Sequence, residues 1–157
     1  MEPYIMIKSG LVLHLAGITL MIGITIASLV VYLHSFELLS CKKDQAKMIL
    51  EATARYPMLQ IIGAIVVIIG GVVMMIGYHG TVMHLPWFTL KLILIALIIL
   101  NQLLIGRPAM INFRKILSLQ QVDQSTIMKV KKRLLSFNGL QLFFFLLIFI
   151  LSSFRFG

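Results

Sequence analysis

The sequence has very little acidic charge and almost no cysteine. Of its 157 residues, five are Asp or Glu and one is Cys, whereas 14 are Lys or Arg and 60% are hydrophobic. The lone Cys41 has no partner within the chain for a disulfide and no CxxC motif for zinc or redox chemistry. Charged residues make up 12% of the chain, about half of the fraction in soluble domains. This composition excludes an ordinary soluble domain.

The excess of basic residues gives a net charge of +9. In a soluble protein such a balance would indicate nucleic-acid binding. In a chain this hydrophobic it favours contact with the anionic cytoplasmic face of a bilayer instead, so we expect no nucleic-acid partner. The acidic residues lie outside the long apolar stretches, which argues against a hydrolytic metal site within them.

Four apolar stretches are long enough to cross a bilayer, which takes about 20 residues of helix. They cover about residues 11–33, 57–79, 87–106 and 137–154, and Pro57 is placed to open the second. The first is too long for a signal peptide and lacks an Ala-x-Ala cleavage site. The sequence therefore predicts one all-α membrane domain over residues 1–157, built as a four-helix bundle.

The loops predicted over residues 35–56 and 107–136 hold most of the Lys and Arg residues, whereas the connection between the second and third spans has none. Short cytoplasmic loops accumulate positive charge. We therefore expect both basic loops in the cytoplasm, both termini outside, and an inner (plasma) membrane location. Within the second loop, residues 123–137 resemble a basic amphipathic helix that lies at the headgroups or extends the fourth span inward.

Two ionisable side chains fall within the predicted spans, where they are costly unless paired. His14 lies about one turn into the first span and Lys91 about one turn into the third, at similar depth in the outer half. His79 and His84 flank the short outer connection. His14 fits either a metal ligand or a hydrogen-bonded structural histidine, and Lys91 fits either a site residue or a side chain that reaches the outer headgroups.

A polar stripe follows His14 along one face of the first helix. Helical steps from His14 reach Met21, Thr25, Ser28 and Tyr32, which we expect to face the bundle interior.

Glycines form a bare ridge on the second span. Gly63, Gly70 and Gly77 recur at intervals of seven, with Gly71 beside them. Such a ridge admits a neighbouring helix or a flat macrocycle, and small residues at membrane helix interfaces favour the helix.

The outer layer of histidines predicts a metal or haem centre. Neutral imidazole binds haem iron, zinc and copper, whereas a lysine amine becomes a ligand only when it is deprotonated. Copper is the competing interpretation, because the thioether of Met83 with His79 and His84 suits Cu(I).

The order of several short motifs resembles a known family. The first helix carries Leu13-His14 and ends near Tyr32-Leu33-His34, the third opens with Trp87 and Lys91-Leu92 and closes with Gly106-Arg107, and Arg133 and Asn138 precede the fourth. This pattern is similar to that of the HemJ-type protoporphyrinogen oxidases, small membrane proteins in a wider group that includes CopD-like copper-resistance proteins. The chain resembles a divergent member, because the family's Asn-Glu on helix four is Asn138-Gly139 here.

The resemblance implies a haem b protein with His14 as axial ligand and Lys91 as second ligand or propionate partner. It also places Arg107 and Asn138 among the cofactor-binding residues, and the outer layer of histidines offers His79 or His84 as alternative ligands. The implied activity is redox, either electron transfer or protoporphyrinogen IX oxidation. We expect a quinone as electron acceptor, because such a site is reached from the lipid.

Two other functions are open at this point. A CopD-like copper transport or homeostasis protein would use His79, His84 and Met83. A non-catalytic structural or assembly subunit would pack through the glycine ridge, as a homo-oligomer or in a larger membrane complex.

Overall fold

The computed structural model describes residues 2–39, 42–119 and 123–153, and within these ranges it contains helices and turns but no strand. The helices are α1 (Pro3–Leu38), α2 (Lys43–Ala52), α3 (Tyr56–Gly77), α4 (Pro86–Asn101), α5 (Arg107–Ser118) and α6 (Gln124–Ser153). A 3₁₀ turn (Thr81–His84) precedes α4, and a π-helical segment (Gln102–Gly106) joins α4 to α5.

Four helical segments are long and apolar enough to cross a membrane, which confirms the predicted number of spans. They are Pro3–Leu38, Lys43–Gly77, Pro86–Ser118 and Gln124–Ser152. Each is longer than the stretch predicted from hydropathy. The chain thus has the composition and helix lengths of a multi-pass membrane protein.

The predicted basic loops are largely helical. Helix α2 lies within residues 35–56, and α5 with the first half of α6 lies within residues 107–136. Residues 123–137 extend the fourth span as part of one continuous helix, which was one of the two predicted alternatives. Pro57 lies in the first turn of α3, as predicted.

Helix α6 begins with a capping turn at Asp123. The Asp123 carbonyl accepts hydrogen bonds from the backbone N–H groups of Thr126 (3.0 Å) and Ile127 (3.2 Å). The Ser125 hydroxyl donates to the Asp123 carboxylate. This bond, with the Ser125 backbone N–H, lowers the pKa of the Asp123 carboxyl. The cap explains why the helix starts here.

Backbone contacts divide the chain into two compact units. The first unit consists of Met1–Ile24, Arg55–Leu94 and Leu147–Gly157, and the second of Thr25–Ala54 and Ile95–Leu146. Each unit contains one part of each of the four candidate spans.

In the first unit, α1 and α3 run antiparallel and touch through glycines. A methyl group added at Gly70 would lie 2.7 Å from the carbonyl oxygen of Gly10, and one at Gly17 would lie 2.8 Å from that of Gly63. Gly77 lies against the first turns of α1. Glycines seven residues apart on both helices thus let the two backbones meet without intervening side chains. This confirms the helix-packing interpretation of the ridge.

In the second unit, an aromatic and aliphatic core surrounds Phe113 of α5. Phe113 is fully buried, with its ring centroid 4.4 Å from that of Phe36 and 6.1 Å from that of Tyr32. Ala109, Phe113, Ile116 and Leu117 are buried at helical spacing, so α5 is amphipathic. The core includes residues of four helices: Tyr32, Phe36, Ala46, Leu50, Ala109, Phe113, Ile116, Leu117, Val130 and Leu134.

The π-helical segment has a local cause in Pro108. Proline has no N–H to donate to the carbonyl four residues earlier, and its ring crowds that carbonyl. The backbone widens instead, and the Arg107 N–H donates to the Gln102 carbonyl five residues back. The Leu104 carbonyl, which Pro108 cannot satisfy, accepts a hydrogen bond from the Arg133 guanidinium of α6 at 3.3 Å.

Alanine substitutions at the adjacent glycines Gly70 and Gly71 should have opposite effects on stability. The methyl group of Gly70→Ala would lie 2.6 Å from the backbone nitrogen of His14, so α1 and α3 must separate. We expect a loss of about 1–3 kcal/mol in unfolding free energy. The methyl group of Gly71→Ala meets the His14 ring at an ordinary 3.7 Å.

Because alanine favours a helix over glycine by about 1 kcal/mol, Gly71→Ala should be neutral or stabilising. Denaturant titration of both variants in detergent micelles, followed by circular dichroism, measures the difference. Equal destabilisation by the two substitutions would show that the backbones do not meet at Gly70.

Candidate functional site

His14 lies in the glycine interface and contacts α3 directly. Its Nδ1 is 2.8 Å from the backbone carbonyl oxygen of Val67. The half-buried ring lies next to Gly71, at which an added methyl group would make an ordinary contact of 3.7 Å with Nδ1. Since a carbonyl oxygen only accepts hydrogen bonds, Nδ1 carries the proton, and Nε2 of the neutral imidazole keeps its lone pair.

This arrangement fits a metal ligand. A histidine that binds metal through one nitrogen usually donates the other N–H to a backbone carbonyl or a carboxylate, which fixes the ring and increases its basicity. The Val67 carbonyl is placed for that role beside His14. The same bond also satisfies a structural histidine, so both predicted roles of His14 agree with the geometry.

Lys91 lies in the first unit on α4 with its ammonium over an aromatic ring. The Lys91 Nζ is 4.5 Å from the ring centroid of Trp87, one turn earlier on the same helix. An aromatic face attracts the protonated amine, whereas an iron ligand must be deprotonated. The side chain therefore reaches back toward the start of α4. This placement favours the predicted propionate partner or headgroup contact over the predicted iron ligand.

An apolar depression adjoins Trp87. It has a volume of about 540 Å³ and is lined by Pro86, Trp87, Leu90 and Leu151, all of the first unit. The depression is open rather than enclosed, so an apolar ligand there would keep one face toward lipid.

The residues predicted to hold copper lie in the turn between α3 and α4. His79 and His84 are exposed, and the Met83 side chain is 52% exposed. His79 and Gly80 adopt left-handed backbone conformations, with φ of 51° and 73°, which reverses the chain direction. Within residues 2–39, 42–119 and 123–153, no group of three or more His, Cys, Asp or Glu side chains could hold a metal ion.

The other two predicted cofactor residues belong to the second unit. Arg107 is exposed at the start of α5. Asn138 is fully buried on α6, and its Nδ2 donates to the Leu134 carbonyl at 2.9 Å. The structure thus places His14 and Lys91 in one unit and Arg107 and Asn138 in the other.

Sequence reasoning missed a buried amide pair in the second unit. The Nδ2 of Asn101 donates to the Gln141 Oε1 at 2.8 Å and to the Phe137 carbonyl at 3.1 Å. Both side chains are almost completely buried. The available signal was the presence of Asn and Gln in otherwise apolar segments, where polar side chains hydrogen-bond between helices.

The tautomer of His14 is a direct test of this geometry. In protein labelled with ¹⁵N-histidine, we expect the neutral imidazole of His14 to carry its proton on Nδ1 and to leave Nε2 bare, because the Val67 carbonyl accepts from Nδ1. The exposed His34, whose Nδ1 lies 3.5 Å from Glu37 Oε2, serves as the comparison at the surface. A neutral His14 that carries its proton on Nε2 would contradict the bond to Val67.

Comparison with known proteins found no family model, no curated protein and no solved structure that matches the chain.

Proposed function

We propose that this chain is a membrane protein that binds haem b in its first unit, with His14 as an axial ligand. The supporting observation is the hydrogen bond from His14 Nδ1 to the Val67 carbonyl, which directs the lone pair of Nε2 away from α3. The resemblance to HemJ-type proteins agrees with this role. The exposed His79 and His84 would be the alternative ligands to the iron.

The residues of the first unit have distinct proposed roles. His14 supplies a neutral imidazole, and the Val67 carbonyl increases its basicity through Nδ1–H. Lys91, held over Trp87, supplies a positive charge for a propionate. When bound, haem b would supply one-electron redox chemistry. We propose electron transfer or porphyrinogen oxidation as the activity, with a quinone that reaches the protein from the lipid as electron acceptor.

The glycine interface favours a second candidate, a structural or assembly subunit. Close packing of α1 and α3 needs no cofactor, and His14 is satisfied by Val67 without one. In that case the role of His14 would be to donate a hydrogen bond from α1 to the Val67 carbonyl of α3.

The proposed orientation follows from the positive charge. Most Lys and Arg residues lie on α2, α5 and the first half of α6, in the second unit. We propose that these segments face the cytoplasm at the inner membrane and that both termini lie outside.

Visible spectroscopy of the purified protein distinguishes haem binding from a structural role. From haem-replete cells we expect a Soret band and sharpened bands after dithionite reduction. His14→Ala should lose them, whereas His34→Ala should not, because His34 is exposed and pairs with Glu37.

His14→Asn serves as a matched variant, because an Asn amide can replace the Nδ1–H donor to Val67 but offers no imidazole lone pair. Asn at this position should retain the stability of the native protein and still lose the haem. A colourless native protein, or haem bands that persist in His14→Ala, would rule out His14 as the haem ligand.

The orientation can be tested through the native cysteine, since Cys41 falls within the predicted first basic loop (residues 35–56), although it lies outside the described residues. In intact cells, a membrane-impermeant maleimide should not label Cys41, and permeabilisation should allow labelling. A control variant, Thr81→Cys with Cys41→Ser, places the thiol at an exposed position of the 3₁₀ turn between α3 and α4 and should label from outside. The reverse pattern would invert the proposed topology.

A further inference from the structure

The second unit contains a cluster of buried amide side chains that the proposed haem site does not use. Asn101 on α4 and Asn138 on α6 are 4% and 0% exposed, and Gln141 is 1% exposed. Asn101 bonds to residues 137 and 141 of α6, on either side of Asn138. Both asparagines belong to helical segments long and apolar enough to span a membrane.

The hydrogen bonds identify which atom of each carboxamide is the donor. The Nδ2 of Asn101 faces the Phe137 carbonyl, and the Nδ2 of Asn138 faces the Leu134 carbonyl. A carbonyl oxygen cannot donate, so neither amide can be flipped without losing its bond. The Oδ1 atoms are therefore the free acceptors, and within the described residues neither has a partner.

An acceptor without a partner is costly at this position. In hydrocarbon, each unsatisfied polar group costs several kcal/mol, because no bulk water reaches it. Gln102, next to Asn101 at the start of the π-helical segment, also buries its Oε1 without a partner among the described residues. Several acceptors of one kind in one unit indicate that something donates hydrogen bonds to them.

The chemistry of the acceptors defines what the cluster can bind. Amide oxygens repel carboxylates and phosphates, so an anion does not fit. A metal cation is also disfavoured, because residues 86–118 and 124–153 contain no Asp or Glu and several Lys and Arg. A neutral O–H donor fits, and nearly complete burial of the asparagines restricts it to a small one.

We propose that Asn101 and Asn138 form an internal hydration site, at which ordered water donates hydrogen bonds to their Oδ1 atoms. Buried water typically makes about three hydrogen bonds to polar groups that otherwise lack partners. The site lies in the second unit and does not depend on haem.

Selective isotope labelling tests this proposal on the intact protein in lipid bilayers. The chain has three asparagines, Asn101, Asn112 and Asn138, so ¹³C-asparagine gives three side-chain carbonyl signals. Asn112 is exposed on α5 and serves as the matched control for an asparagine in contact with bulk water. Asn112→Ser assigns its signal by deletion. The fully buried ring of Phe113, in a second sample labelled with ¹³C-phenylalanine, is the dry control.

Magnetisation transfer from water to carbon in solid-state NMR is the measurement. We expect the Asn101 and Asn138 signals to build up at rates close to that of Asn112 and several times faster than that of Phe113. Deuteration of the solvent should abolish the transfer. Build-up as slow as that of Phe113 would overturn the proposal. Transfer that survives in D₂O would also overturn it, because the magnetisation would then come from non-exchangeable C–H protons and not from water.

Discussion

Backbone contact between α1 and α3 is the constraint on which the first unit depends. Without a hydrophobic driving force between helices in lipid, association relies on close packing and hydrogen bonds. The glycines supply the packing, and Gly70 meets the backbone of His14 itself. At this separation the imidazole reaches a carbonyl of the neighbouring helix. Gly70, which lets the two helices approach, therefore also sets the direction of the His14 Nε2 lone pair.

Much of this arrangement could be predicted from one sequence. The polar stripe on α1 is confirmed, because Met21, Thr25, Ser28 and Tyr32 are all buried. The glycine ridge on α3 faces a helix, as its spacing indicated. The complementary glycines of α1, Gly10 and Gly17, have the same interval but were not recognised as its partner. The acceptor of the His14 hydrogen bond could not be predicted from the sequence, because every residue has a backbone carbonyl whatever its side chain.

The basic segments show where a count of charged residues misleads a sequence-based assignment. Residues 107–118 look like a loop when their Lys and Arg are counted, yet Ala109, Phe113, Ile116 and Leu117 give them a buried helical face. The spacing of these four residues was a usable signal. The π-helical segment before them was also foreseeable in principle, because Pro108 cannot donate to Leu104. Its stabilisation by Arg133 was not, since that contact depends on how α6 packs in the second unit.

The two units differ in the kind of lone pair they present. The imidazole Nε2 in the first unit is a base that can bind iron or a proton, whereas the amide oxygens of the second unit accept hydrogen bonds but hold neither at neutral pH. The proposed redox chemistry therefore belongs with His14, and the proposed hydration with Asn101 and Asn138. A haem propionate is a carboxylate and pairs with a cation, not with an amide oxygen. In the first unit, the ammonium of Lys91 beside Trp87 would supply that cation. In the proposed haem site, the chemistry of these groups suits His14 to the iron and Lys91 to a carboxylate.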